Sequence, residues 1–335
     1  CLNSYDRRRV LCGSLEFHTG TWYDIIRRAS TADVPLSAGT IRFGTEENMI
    51  GNLFTEKKHT SCPLSFEVFP PKKEDDFANA FAVMDALALL KPDFISVTYG
   101  AGGSKSKKTL EIASYIQNQL HINALAHMTC VGSRKEDIDA VAAQMEKEGL
   151  KHVLALRGDR PADMSDEQYE SRAFAHASDL ITYLKETTSL QTAGACYPEK
   201  HFEAESMEED LRHLKEKCEA GAEFLITQLF FDNDSFLRFR EAAGKAGITV
   251  PISAGIMPIT TARQIGTTVS LSGSAVPKKM ADMIAAYADN PADLRKAGIE
   301  YAAEQIRGLK AEGVDGIHIY TMNRPKVAAE ILDLI

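Results

Sequence analysis

A (β/α)8 barrel is the fold class this α/β sequence predicts, and three observations predict it. From residue 65 to the end of the chain, short apolar strands alternate with longer segments of helical periodicity, a pattern that implies a parallel sheet. The alternation occurs eight times, and the span is close to the roughly 250 residues such barrels take. Polar residues end nearly every strand, and strand ends are where barrels of this kind build their sites. No GxGxxG follows the first strand, which disfavours an open dinucleotide-binding sheet.

The elements follow in order. Strand 65–69 is set by Phe66, Val68 and Phe69 and stopped by Pro70-Pro71. Helix 76–90 carries Phe77, Phe81, Met84, Leu87 and Leu90 at helical spacing. Strand 94–99 ends in a glycine-rich turn, Gly100 to Ser104, too short and wrongly spaced for a P-loop. Helix 107–119, strand 123–130 and helix 135–148 come next, the last stopped by Gly149. Strand 152–157 closes on Gly158-Asp159-Arg160-Pro161. Helix 177–185, strand 192–197, helix 207–219, strand 224–231, helix 235–245 and strand 250–256 continue the series. A long helical region over 261–309 precedes strand 316–321 and a closing helix from Pro325.

Residues 1–48 stand apart. They carry Arg7-Arg8-Arg9 without sustained periodicity and lack the order of a signal peptide. Met49 then opens a short helix leading into the first strand. The expectation is a poorly ordered, non-functional extension over 1–48 and a single catalytic barrel over 49–335.

Composition removes several classes of function. A net charge of −9 and a pI near 5.6 argue against nucleic acid as a partner. No apolar run approaches the roughly 18 residues a membrane helix needs. The six cysteines are scattered with no CxxC pair, which argues against a disulfide scaffold and for the cytoplasm. No HExxH or dense carboxylate–histidine cluster points to a metal, and there is no GxSxG elbow.

The anomaly is Glu67, a carboxylate among Phe66, Val68 and Phe69. Apolar surroundings disfavour the charged form, so a glutamate there is expected to hold its proton near neutral pH. Other strand ends offer Thr98, His127, Arg157-Gly158-Asp159, Tyr197 with His201, Gln228, and Tyr320 with Arg324. Each has a plainer reading: His127 as a core histidine, Gln228 as an interior amide, Asp210 and Lys217 as a solvated helix face. Those plainer readings leave unexplained why polar groups end nearly every strand.

The strand ends together resemble the methylenetetrahydrofolate reductase family. The matching stretches are Phe66-Glu67-Val68-Phe69-Pro70-Pro71, Ser96-Val97-Thr98-Tyr99-Gly100, Ala126-His127-Met128-Thr129-Cys130 and Leu154-Ala155-Leu156-Arg157-Gly158-Asp159. They continue in Cys196-Tyr197-Pro198-Glu199-Lys200-His201, Ile226-Thr227-Gln228-Leu229-Phe230-Phe231, Gly255-Ile256-Met257-Pro258 and His318-Ile319-Tyr320-Thr321-Met322-Asn323-Arg324.

The resemblance implies a homo-oligomeric flavoprotein binding FAD noncovalently, with NADH or NADPH as co-substrate. It implies ping-pong reduction of 5,10-methylenetetrahydrofolate to 5-methyltetrahydrofolate. Carried over by position, Thr98, His127, Arg157, Gly158, Asp159, Ala177, Tyr197, His201, Asp210, His213 and Lys217 would contact FAD. Glu67 would be the general acid that opens the folate's five-membered ring to an iminium. Asp159 would sit near the flavin and disfavour its anionic reduced form. Glu67, Asp159, Gln228, Tyr320 and Arg324 would bind the folate.

Two positions depart from the family pattern. Leu229 stands where an aromatic is expected in the nicotinamide and folate pocket, and His213 stands where a small amide is expected. The chain ends soon after the eighth strand, which implies a bacterial-type enzyme without the regulatory domain of eukaryotic members. Two alternatives stay open: another flavin-dependent barrel oxidoreductase, and a folate-binding subunit of a larger complex with a partner protein and a different electron donor.

Overall fold

The structure is a computed structural model that describes residues 49–56, 62–71, 76–99, 103–161 and 163–335. The expectation for 1–48 and the tip of the glycine-rich turn lie outside the described residues. Eight parallel strands close into a barrel in sequence order: β1 (Leu64–Val68), β2 (Phe94–Val97), β3 (Asn123–Thr129), β4 (His152–Leu156), β5 (Gln191–Cys196), β6 (Leu225–Thr227), β7 (Ile252–Ile256) and β8 (Gly316–Tyr320). The fold class predicted from the alternation is therefore the one observed.

Parity along each strand sorts the side chains. Phe66, Val68, Ile95, Val97, Ala126, Val153, Ile317 and Ile319 point outward into the main core, where the helices cover them. Phe94, Leu125, Leu154, Ala193, Phe224 and Ile226 point inward and fill the lower barrel. Helix α1 (Ile50–Glu56) closes the bottom by inserting Ile50 and Phe54 into that inner cluster. The Phe54 ring packs 5.1 Å from Phe224, and the Ile50 N–H donates to His152 Nε2 at 3.3 Å. That bond satisfies one of the donors a helix N-terminus leaves unpaired.

The covering helices are α2 (Phe77–Ala88), α3 (Gly103–Asn118), α4 (Lys135–Lys147), α5 (Asp166–Glu170), α6 (Ala177–Thr187), α7 (Met207–Glu219) and α8 (Asn233–Lys245). After β7 come α9 (Ala262–Ser272), α10 (Lys278–Ala286) and α11 (Pro291–Ala311), and α12 (Pro325–Leu332) closes the chain. The region expected as one long helical stretch is thus three helices. Gly273, at φ 69°, ends the first, and Pro277 and the Asn290-Pro291 pair open the next two.

Strand β6 stops at Thr227, four residues short of the expected end. Gln228 still donates its N–H to the Cys196 carbonyl of β5 at 2.7 Å, and the chain beyond it leaves the sheet as Phe230 and Phe231 are drawn into separate clusters. Phe230 stacks 5.3 Å from Phe236 of α8, while Phe231 joins Leu229, Ile259 and Met280. Helix α5 was missed, although Ser165 and Gln168 form a reciprocal capping box there, at 3.2 and 2.9 Å.

Candidate active site

The upper barrel carries polar groups on the inward positions above the apolar plug. Register pairs Glu67 with Ser96 on one side and with Tyr320 on the other. The segment after β8 fixes the strand that carries Glu67. Thr321 Oγ1 donates to the Glu67 carbonyl at 2.7 Å, and Asn323 clamps Phe69 through both backbone groups, at 3.0 and 2.8 Å. Asn323 adopts φ 54° to do so, a left-handed conformation that asparagine tolerates better than most residues.

The Glu67 side chain is 20% exposed and turned into the mouth. Its Oε2 lies 3.6 Å from His127 Nε2 and 3.9 Å from His318 Nε2. Burial pulls the His127 imidazole down to about 4, so the ring is neutral at pH 7. Tyr320 extends across β7, where Gly255 leaves room for its ring, and donates to the Thr227 carbonyl at 2.6 Å. Burial, reinforced by Glu67, raises the Tyr320 hydroxyl well above the usual range, so it remains a donor.

Beside this cluster a groove runs over the ends of β3, β4 and β5. It comprises two openings of about 210 and 780 Å³ that share Leu156, Arg157, Tyr197 and His201 in their walls. Ala177, Asp210, His213 and Lys217 line the first, and Gly158 and Asp159 line the second. The chain turns at Gly158 with φ 83°, and a Cβ there would lie 3.0 Å from Thr129 Cβ. Only glycine supplies both the angle and the space.

The walls are already internally bonded. Arg157 makes a two-point ion pair with Glu203, one arm of it at 2.8 Å, and its Nε donates to the Gly158 carbonyl at 3.2 Å. Asp210 accepts from the His201 N–H at 3.1 Å, which fixes the loop between β5 and α7. Lys217 Nζ donates to the Ala195 carbonyl at 2.6 Å, and burial pulls its ammonium below the usual lysine range. His201 meets the Tyr197 ring edge-on at 4.6 Å.

The groove therefore brings together Arg157, Gly158, Asp159, Ala177, Tyr197, His201, Asp210, His213 and Lys217, while Glu67, His127 and Tyr320 sit in the inner cluster. Thr98, Gln228 and Arg324 lie apart from both. The Thr98 carbonyl accepts from Thr109 Oγ1 at 2.9 Å, and the Gln228 amide oxygen folds back to accept from the Leu229 N–H at 2.9 Å. Arg324 reaches Thr260 Oγ1 at 2.9 Å. Leu229 does not line an open pocket; it is 6% exposed and packed with Ile259 and Met280. His213 lines the groove but stacks on His176 at 5.2 Å and bonds Glu216 at 3.0 Å.

Sequence reasoning missed Glu203, His176 and His318 as members of these sites. The strand period gives a signal for His318, which shares the inward parity of Tyr320. Glu203 and His176 lie in loops without periodicity and offer no such signal.

The sequence profile of the methylenetetrahydrofolate reductase family matches residues 53–335. The chain is 35% identical over 268 residues to the 5,10-methylenetetrahydrofolate reductase of Pectobacterium carotovorum subsp. carotovorum, covering 80% of this chain and 88% of that one. The enzyme of the same name from Escherichia coli (strain K12) gives the same identity and coverage. "Methylenetetrahydrofolate reductase (NADH) 1" of Arabidopsis thaliana is 36% identical over 291 residues, covering 83% of this chain and 48% of the plant protein. A closed eight-stranded barrel whose strand ends carry these residues, matched along nearly all of its length, belongs to the methylenetetrahydrofolate reductase family of oxidoreductases.

Proposed function

We propose that this chain reduces 5,10-methylenetetrahydrofolate to 5-methyltetrahydrofolate, with FAD in the groove, NADH or NADPH as electron donor, and Glu67 as general acid. The observation that supports it most is the placement of Glu67. Its carboxyl group turns into the mouth beside the groove over β3, β4 and β5, and its nearest basic neighbour is an uncharged imidazole. A cationic neighbour would hold the carboxylate ionised; a neutral one does not.

The groove fits FAD. Its larger opening, about 780 Å³, lies within the roughly 300–1000 Å³ usual for ligand sites, and the smaller one, about 210 Å³, extends it. Cationic Arg157 and Lys217 lie along it, and the N-terminus of α6 at Ala177 opens onto it, as suits a pyrophosphate. Tyr197 and His201 supply flat faces and Gly158 a close backbone approach. His127 lies in the inner cluster beside the groove, and Thr98 would have to approach FAD from outside the groove walls. When bound, FAD supplies hydride transfer, between the nicotinamide donor in one half-reaction and the folate in the other, in ping-pong order. NADH is the printed donor of the Arabidopsis relative.

The chain's own residues then do the following. Glu67 delivers a proton to a ring nitrogen of the folate, opening the imidazolidine to an iminium that accepts hydride readily. Asp159, exposed at the second opening, places negative charge near the flavin and the pterin. Gln228, Tyr320 and Arg324 orient the folate; Gln228 must unfold from Leu229 to do so. Burial pushes the Cys62 and Cys218 thiols up to about 11 and Cys130 up to about 12. Such unreactive free thiols suit the cytoplasm.

The test is an anaerobic absorbance titration of the purified protein with NADH, then with methylenetetrahydrofolate. The flavin band should bleach with the first and return with the second. A flavin that NADH leaves oxidised would replace this reading with a partner-supplied electron donor.

A further inference from the structure

Three histidines, His176, His201 and His213, line the first opening of the groove. The charges around them do not suit the dianionic pyrophosphate proposed to bind there. Arg157 and Lys217 face three carboxylates, Glu203, Glu209 and Asp210, so the lining is net negative while the imidazoles are neutral. Arg157 is already paired with Glu203, and Lys217 is held by the Ala195 carbonyl. A dianion entering such a site gains from a proton that arrives with it.

Hydrogen-bond direction decides which imidazole takes that proton. His201 Nδ1 accepts from the Glu203 N–H at 3.2 Å. A backbone N–H cannot accept, so a proton added at Nδ1 would break that bond. His213 Nε2 lies 3.1 Å from the Arg212 guanidinium, which only donates, and Nδ1 then donates to Glu216 at 3.0 Å. A second proton on His213 would face the guanidinium. That leaves His176. Its ring stacks on His213 with centroids 5.2 Å apart, and it caps α6, whose Ala177 and Ser178 line the same opening.

We infer that His176 is a further FAD-binding residue, which takes up a proton as the pyrophosphate binds and pairs with it as an imidazolium. The inference rests on the reading of this groove as the FAD site. In the free protein, burial, with His213 of α7 and the cations Arg172 and Arg157, holds the His176 imidazole below its usual range. Asp179 of α6 opposes them without prevailing. The ring is therefore neutral at pH 7. The pyrophosphate brings two negative charges to the start of α6 and reverses that balance.

Calorimetric titration of FAD into the full-length apoprotein, in two buffers of different ionisation enthalpy, counts the protons. Near pH 7, uptake of about 0.5–1 proton per FAD is expected. Affinity should rise by up to about tenfold for each pH unit lowered towards the range of the free imidazole. Riboflavin, which lacks the pyrophosphate, should bring no uptake. His176→Phe keeps a flat ring without a titrating nitrogen. It should abolish the uptake, flatten the pH profile and weaken FAD binding about tenfold at pH 7.

Proton release, or no uptake, with FAD in the unmutated protein would overturn the inference. So would uptake that persists in His176→Phe or that appears with riboflavin. Failure of FAD to bind at any pH would instead remove the reading beneath it.

Discussion

His127 Nε2 lies 3.6 Å from Glu67 Oε2 and has no hydrogen-bond partner of its own. A buried polar atom left so is costly, and here it sits where the proposed acid does its work. The pair is a neutral imidazole against a carboxyl group. It approaches a hydrogen bond without closing one, and this leaves Glu67 free to turn towards a substrate.

Buried neutral histidines make the fold sensitive to acid. Unfolded imidazole takes up a proton near pH 6.5, whereas burial holds His127 and His152 neutral down to about 4. Between those values the unfolded chain binds protons that the folded chain refuses, so stability falls as pH falls. The loss reaches as much as about 3 kcal/mol for each histidine. Urea denaturation across that window measures it. Replacing His152 with Gln, at the bottom of the barrel, should remove about one proton from the slope.

Gly255 is where the Tyr320 ring crosses β7. A Cβ there would lie 2.4 Å from the Thr227 carbonyl oxygen and 2.7 Å from the ring. Gly255→Ala should therefore destabilise the barrel by about 1–3 kcal/mol or more and break the bond from Tyr320 to Thr227. Thermal unfolding reads the first effect, and a rise in the KM for the folate reads the second.

The barrel floor depends on α1. Phe54→Ala empties a site that is 2% exposed between Phe224 and Gly316. The expected loss is about 3–5 kcal/mol in chemical denaturation. A loss under about 1 kcal/mol would mean that the helix does not plug the barrel in solution.

Lys217→Met should weaken FAD binding at least tenfold, measured by reconstituting apoprotein with FAD, while changing stability by no more than about 1 kcal/mol. The variant loses one hydrogen bond to Ala195 but also the cost of burying an ammonium, and these oppose each other. Unchanged affinity would show that Lys217 serves the β5 carbonyl alone.

The barrel was legible because its elements are set by local rules. Inward and outward parity, helical spacing, and Gly or Pro stops all act within a few residues, and β1, β3 and β4 came out within a residue of their expected ends. Expectations failed where distant packing decided the outcome. Phe230 and Phe231 pull the chain out of β6, and Gly273 and Pro277 break a long helical region whose apolar pattern continues through them. The groove residues were legible through the family resemblance. The pairing of Arg157 with Glu203 and the burial of Leu229 depend on where loops return in space, and no spacing in the sequence encodes that.

The central claim is that Glu67 supplies the proton for folate reduction and nothing for flavin reduction. Anaerobic stopped-flow absorbance of Glu67→Gln holoenzyme, mixed with NADH in one experiment and reduced then mixed with methylenetetrahydrofolate in another, separates the two. The account predicts bleaching within about twofold of the unmutated rate and at least about a thousandfold slower recovery, at the strong end for loss of a positioned acid. Equal slowing in both halves, or undiminished recovery, would contradict it.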